Sequence, residues 1–316
     1  DATSTSGDFV LATDKLLNEF WRKDRTLEQN LNGVIQINND FIENLLDVIG
    51  PVKTDSFSVK TDQGNYITVG IEEFNAENVT QELTNIAGGK LANQLGRKDI
   101  IAKLGASILE RVFTLEPEMI SSMAATSLNS LTKKDLILRS FDPQTQEAFE
   151  KLGYAGRLEN IALDYDYLHI NRSNYGAGKA DWTGKEGFVT QEIDKTVEEI
   201  NGKLVSTVKL TIKNPERPAW FKLNPCCFYT TYVKIFVPYN SKLLNISSTQ
   251  DADPLGGIQN DEELQLTYMD AYVNIPEKSE ITLTYQYELP DTIKLADYKL
   301  LFQRQPGTSV DPVSLE

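Results

Sequence analysis

Residues 12–23, ATDKLLNEFWRK, carry apolar side chains at helical spacing and put Leu16, Leu17, Phe20 and Trp21 on one face. NGVIQIN (32–38) reads as a short buried strand. NNDFIENLLDVIGPV has complete helix punctuation: Asn39 as a cap, an apolar stripe of Phe41, Ile42, Leu45, Leu46 and Ile49, Gly50 as a left-handed stop and Pro51 against continuation. Strand patterns follow at SFSVK and YITVGIEEF, and a weaker helix begins after Asn75. A strong helix spans 97–113, with Ile100, Ile101, Leu104, Ile108 and Val112 inward, and another is entered at Pro117. DLILRSF is a strand, and DPQTQEAFEKLGYAG is a helix with Asp142 as cap, Pro143 in its first turn and Gly153 as its stop. Alternating helix and strand predict an α/β arrangement, a mixed sheet covered by helices.

From Ile161 the period changes to two. In IALDYDYLHI, residues Ile161, Leu163, Tyr165, Tyr167 and His169 share one face. Further β runs follow, from FVTQEIDKTVEEI to YKLLFQR, separated by turn residues such as NG, PYN and LGG. Such a series predicts an all-β sandwich of immunoglobulin-like type. The expected division is residues 1–184 for the α/β domain and 185–316 for the sandwich, with the boundary between Thr183 and Gly187.

Composition narrows the partners. Acidic residues outnumber basic ones by 46 to 31, a net charge of −15, which repels nucleic acid and anionic lipid and suits cationic or neutral partners such as glycans. No run reaches the roughly 18 apolar residues of a membrane helix. The two cysteines, Cys226 and Cys227, are adjacent, which excludes a disulfide scaffold and a zinc site built with the one histidine. As strand neighbours they face opposite ways, and a strained vicinal disulfide is the alternative.

NYGAGKADWTG (174–184) looks like a phosphate cradle. Gly178-Lys179 supplies the glycine-lysine pair of a P-loop, but Ser173 stands where that motif needs its first glycine and Ala180 where it needs a hydroxyl. The following residues read as strand, so no helix N-terminus faces a phosphate. Gly176, Gly178, Lys179, Asp181 and Trp182 are therefore assigned to an inter-domain turn. Asp164 and Asp166, two apart on the strand face opposite Tyr165, can hold a cation or act as acid and base, or form a solvated face. Glu72 and Glu73 allow the same two readings. His169 reads as a packed residue. Trp220 and Phe221, in ERPAWFKLNP, make a glycan-stacking patch if exposed and a plug if inserted. The residues imply no cofactor.

Several stretches, in order along most of the chain, resemble a bacterial envelope group, domain-of-unknown-function family 4012. NRSNYGAGKADWT is similar to its N-x-G-G-N-K-A-D segment, with Gly178 where the family has asparagine. LNGVIQINNDFIENLLDVIGPV, GRKDIIAKLGASIL, RSFDPQTQEAFEKLGYAG and LLFQRQPGT resemble further family elements. The resemblance implies that Asp1 falls inside the family domain, after a membrane helix and a strand block. The first half also distantly resembles the LytR-CpsA-Psr fold, whose members transfer glycopolymers from a lipid pyrophosphate. There arginines grip the pyrophosphate, and Arg97, beside Lys98 at a helix start, is the positional match; the alternative is a solvated surface charge. The resemblance implies a membrane-anchored protein of the bacterial cell surface. Its expected role is a structural or binding module that contacts cell-wall glycan or other surface proteins, with self-association as a further partnership. The enzymatic alternative is a glycopolymer phosphotransferase completed by an upstream segment.

Overall fold

The computed structural model describes residues 6–23, 31–61, 63–91, 94–159, 162–174, 189–219, 221, 228–250, 257–308 and 313–315, without the side chains of Trp21, Lys23, Leu95 and Arg97. The first half contains α1 (Phe9–Lys23), β1 (Gly33–Ile37), α2 (Asn39–Ile49), β2 (Val52–Lys53), β3 (Phe57–Lys60), β4 (Tyr66–Val69), β5 (Glu73–Phe74) and α3 (Val79–Leu83). A π-helical stretch Thr84–Lys90 and a 3-10 stretch Leu95–Lys98 precede α4 (Asp99–Phe113), α5 (Pro117–Lys133), β6 (Leu136–Ser140) and α6 (Pro143–Lys151). Strands then dominate: β7 (Asp166–Asn174), β8 (Thr190–Ile200), β9 (Lys203–Asn214), β10 (Tyr229–Pro238), β11 (Lys242–Ser248), β12 (Ile258–Asp261), β13 (Leu266–Ile275), β14 (Ser279–Glu288), β15 (Leu300–Gln303) and β16 (Val313–Leu315).

Two compact units result, one of Ile35–Ile137 with Arg217–Cys226, the other of Asp1–Val34, Leu138–Glu216 and Cys227–Glu316. The chain passes between them within β1, within β6 and at both ends of Arg217–Cys226. This division differs from a boundary near 184: β7, on the N-terminal side of that point, is an interior strand of a five-stranded sheet.

In the first unit the described strands do not join into one mixed sheet. Among the described residues β2 pairs with β5 and β3 with β4 as two-stranded antiparallel ladders. The helices close over one core of Leu45, Leu46, Ile49, Val52, Phe74, Val79, Ile100 and Leu104. Helix α2 is capped by Asn38 rather than Asn39. The Asn38 Oδ1 accepts the Phe41 N–H at 3.0 Å, while its Nδ2 donates to Asp135 Oδ1 at 2.9 Å. Gly50 stops the helix at φ +79°, as its sequence position requires. Ile101, expected inward on α4, is exposed, while Ile100 and Leu104 are buried.

In the second unit two five-stranded sheets are ordered β12-β13-β10-β7-β15 and β11-β14-β9-β8-β16. Pairing is antiparallel except for β15 on β7 and β16 on β8, which are parallel. One apolar cluster joins the sheets, with Ile170, Val233, Ile235 and Met269 from the first and Ile193, Val208, Leu210 and Leu283 from the second. Helix α1 buries Val10, Thr13 and Leu17 and leaves Leu16 and Phe20 exposed, so its inward face lies beside the one expected. Its start is held by Asp8, whose carboxylate accepts the Leu11 and Leu158 N–H groups at 2.9 and 3.0 Å.

At Gly33 a Cβ would stand 2.2 Å from the Arg139 carbonyl oxygen, a backbone atom that cannot step aside. Gly33→Ala is expected to cost about 1–3 kcal/mol, the range for overpacking. Faster hydrogen exchange in peptides from β1 and β6 would report it; unchanged exchange would mean that the two strands are not held this closely.

Candidate functional site

The densest chemistry lies inside the two-sheet core. In β8 the inward phase runs through Gln191, Ile193 and Lys195, continuing from Val189 just before the strand, so the strand period places a lysine among apolar neighbours. Its side chain is fully buried. Opposite it, Asp166 opens β7 on the inward face shared with Leu168 and Ile170, and is also fully buried. Lys195 Nζ lies 2.9 Å from Asp166 Oδ2. It also donates to Ser206 Oγ at 2.5 Å and to the Tyr287 hydroxyl at 2.8 Å, so its three protons have three acceptors. Register explains these two partners, because Ser206 on β9 stands directly opposite Tyr287 on β14.

Asp166 is held equally closely. Its Oδ1 accepts the Tyr167 N–H at 2.7 Å, and its Oδ2 accepts the Tyr298 hydroxyl at 2.5 Å. Its own N–H donates to the Lys299 carbonyl at 2.8 Å, which fixes the strand start. Burial opposes the Lys195 ammonium, but the negative partners and their hydrogen bonds outweigh it, and its pKa lies above the usual lysine value. Burial first, and then the Asp166 charge, push the Tyr298 phenol up. Burial also raises Tyr287, against the opposing pull of Lys195. The constellation is an ion pair with a hydroxyl on every side, linking one sheet to the other.

A second cluster lies on β10 and β13. The Tyr232 hydroxyl donates to Asp270 Oδ2, and Lys234 Nζ sits 4.0 Å above the centre of the Tyr268 ring. Burial raises the Asp270 pKa and lowers that of Lys234, so each is drawn toward its neutral form.

The expected metal pair is not brought together. Asp164 lies in a turn before β7 and pairs with Lys299 at 3.3 Å on the surface, while Asp166 points into the core at Lys195. The expected solvated face holds for Asp164 and fails for Asp166, because that face of β7 packs against the second sheet. Among the described residues no three His, Cys, Asp or Glu side chains gather as a metal site. His169 is fully buried, with its Nδ1 donating to the Gln303 carbonyl at 2.8 Å and its ring beside Phe236. Glu73 pairs with Lys53 at 3.1 Å in an exposed bridge.

Phe221 is buried, but in a segment that groups with the helical unit and not with the two-sheet unit whose end it was expected to plug. Trp220, Cys226, Cys227 and the turn residues Gly176, Gly178, Lys179, Asp181 and Trp182 lie outside the described residues. Arg97 falls in the 3-10 stretch that leads into α4, and its side chain lies outside the description; Lys98 beside it is exposed.

Lys195 was not among the expected site residues, although its signal was present: a lysine in the apolar phase of a β run. Tyr298 and Ser206 carried no such mark. Compared with models of protein families the chain matches none, and compared with curated proteins it likewise matches none.

Proposed function

We propose that this chain is the extracellular part of a bacterial cell-envelope protein, a structural or binding module that contacts wall glycan or other surface proteins. In this reading the two-sheet unit is an immunoglobulin-like sandwich. The observation that carries it is the direction of the chemistry. The fully buried ion pair, Lys195 against Asp166, faces from one sheet to the other and so serves cohesion. The chain carries a net charge of −15, compatible with neutral or cationic polymers as partners. With Phe221 buried, Trp220 is the aromatic residue of its loop left to test as a glycan platform.

The test is co-sedimentation of the purified chain with isolated bacterial wall fractions, together with its oligomeric state by light scattering. The expected result is retention on wall glycan that Trp220→Ala reduces, or concentration-dependent self-association. A chain that stays in the supernatant with every wall fraction and remains monomeric would overturn the proposal.

A further inference from the structure

An amine and a carboxylate stand 2.9 Å apart in a core from which water is excluded. Holding such partners in contact raises their effective concentration to roughly 10⁵–10⁸ M in well-oriented intramolecular reactions. A buried ion pair also bears the desolvation of both charges, and condensation removes both at once. The groups around the pair suit the product. Ser206 and Tyr287 present oxygens to Nζ, which would receive an amide N–H. The Tyr167 N–H points at Asp166 Oδ1, the oxygen that an amide would keep as its carbonyl.

We propose that Lys195 and Asp166 condense to an intramolecular amide, a covalent tie from β8 in one sheet to β7 in the other. From the ion pair, one ammonium proton moves from Nζ to Oδ2, leaving an amine and a neutral acid. The nitrogen lone pair then attacks Cγ. A second nitrogen proton ends on the Oδ2 hydroxyl, the Cγ–Oδ2 bond breaks, and one water departs. Tyr298, donating to Oδ2, stabilises the charge that develops on the leaving oxygen. Nothing is oxidised or reduced, and no co-reactant is consumed. The tie needs neither metal nor disulfide, and it goes beyond the envelope reading because it stands on core geometry alone.

The experiment is intact-mass measurement of the purified, folded full chain after denaturation, followed by a tryptic digest. The expected mass is lower than the sequence mass by one water, with a branched peptide that joins the Lys195 and Asp166 segments. Lys195→Arg and Asp166→Ala should each show the full mass of their sequence. A wild-type chain at full mass, with Lys195 and Asp166 recovered in separate linear peptides, would overturn the proposal. So would loss of water without the branched peptide, as a succinimide elsewhere would give. Since the decisive sample is the wild type, the outcome does not depend on whether either variant folds.

Discussion

Relative to the ion-paired chain before any amide forms, Lys195→Met is expected to destabilise the two-sheet unit by about 3–5 kcal/mol, the range for breaking a buried pair by removing one partner. Methionine fills most of the volume but leaves Asp166 with a charge and no cation in a position without solvent. Ser206 and Tyr287 lose the donor that joined them. Asp166→Leu should cost a similar amount for the converse reason. The double variant should lose less than the sum of the two, because both single changes remove the same interaction. Since the chain has two compact units, a single bulk transition is a poor reporter. Hydrogen exchange of peptides from β8, β9 and β14 under denaturant isolates the relevant unit. Strictly additive losses would mean that Lys195 and Asp166 do not act on each other, and the cross-sheet network would have to be discarded.

Phe74→Ala is expected to cost the helical unit about 3–5 kcal/mol, the range for removing a large buried aromatic side chain. Phe74 belongs to a two-residue strand that pairs with Val52. So short a strand is held by its side chain more than by its ladder. That side chain is fully buried in a cluster with Leu46, Ile49, Val69, Val79 and Leu104, contributed by three helices and a strand. Truncation leaves a void bordered by elements with separate backbones, which relax only in part. Exchange of peptides from α2 and α4 should accelerate together. A loss below about 1 kcal/mol would mean that the cluster collapses onto the gap and that Phe74 is not its centre.

Much of the local structure was legible without coordinates, because it depends on near neighbours. Helix α2 stops at Gly50, a residue whose backbone preference acts over a single turn, although its cap is Asn38, one residue before the expected Asn39. The paired strands β8 and β9 follow from their alternation, and α6 begins at its Asp142 cap as its sequence implies. Where one step of helical phase decides burial, the pattern was less informative. Leu16 and Phe20 on α1 and Ile101 on α4 are apolar yet exposed, since the sequence shows that a stripe exists but not which edge of it meets a neighbour.

The candidate chemistry divides along the same line. Asp164 and Asp166 are two positions apart and equivalent by pattern, but one is a surface partner of Lys299 and the other a buried partner of Lys195. Lys195 was legible as a charged residue in an apolar phase. Its counter-ion was not, because Asp166 belongs to the other sheet. Tyr298 reaches that carboxylate from the approach to β15, more than 100 positions along the chain. The sequence by itself determined the elements, the excess of negative charge and the anomaly of a lysine on an inward face. Only the tertiary structure decided which strands would neighbour one another in each sheet and which acid would meet that lysine, because a buried charge is stabilised by whatever the packing of distant strands brings within hydrogen-bonding reach.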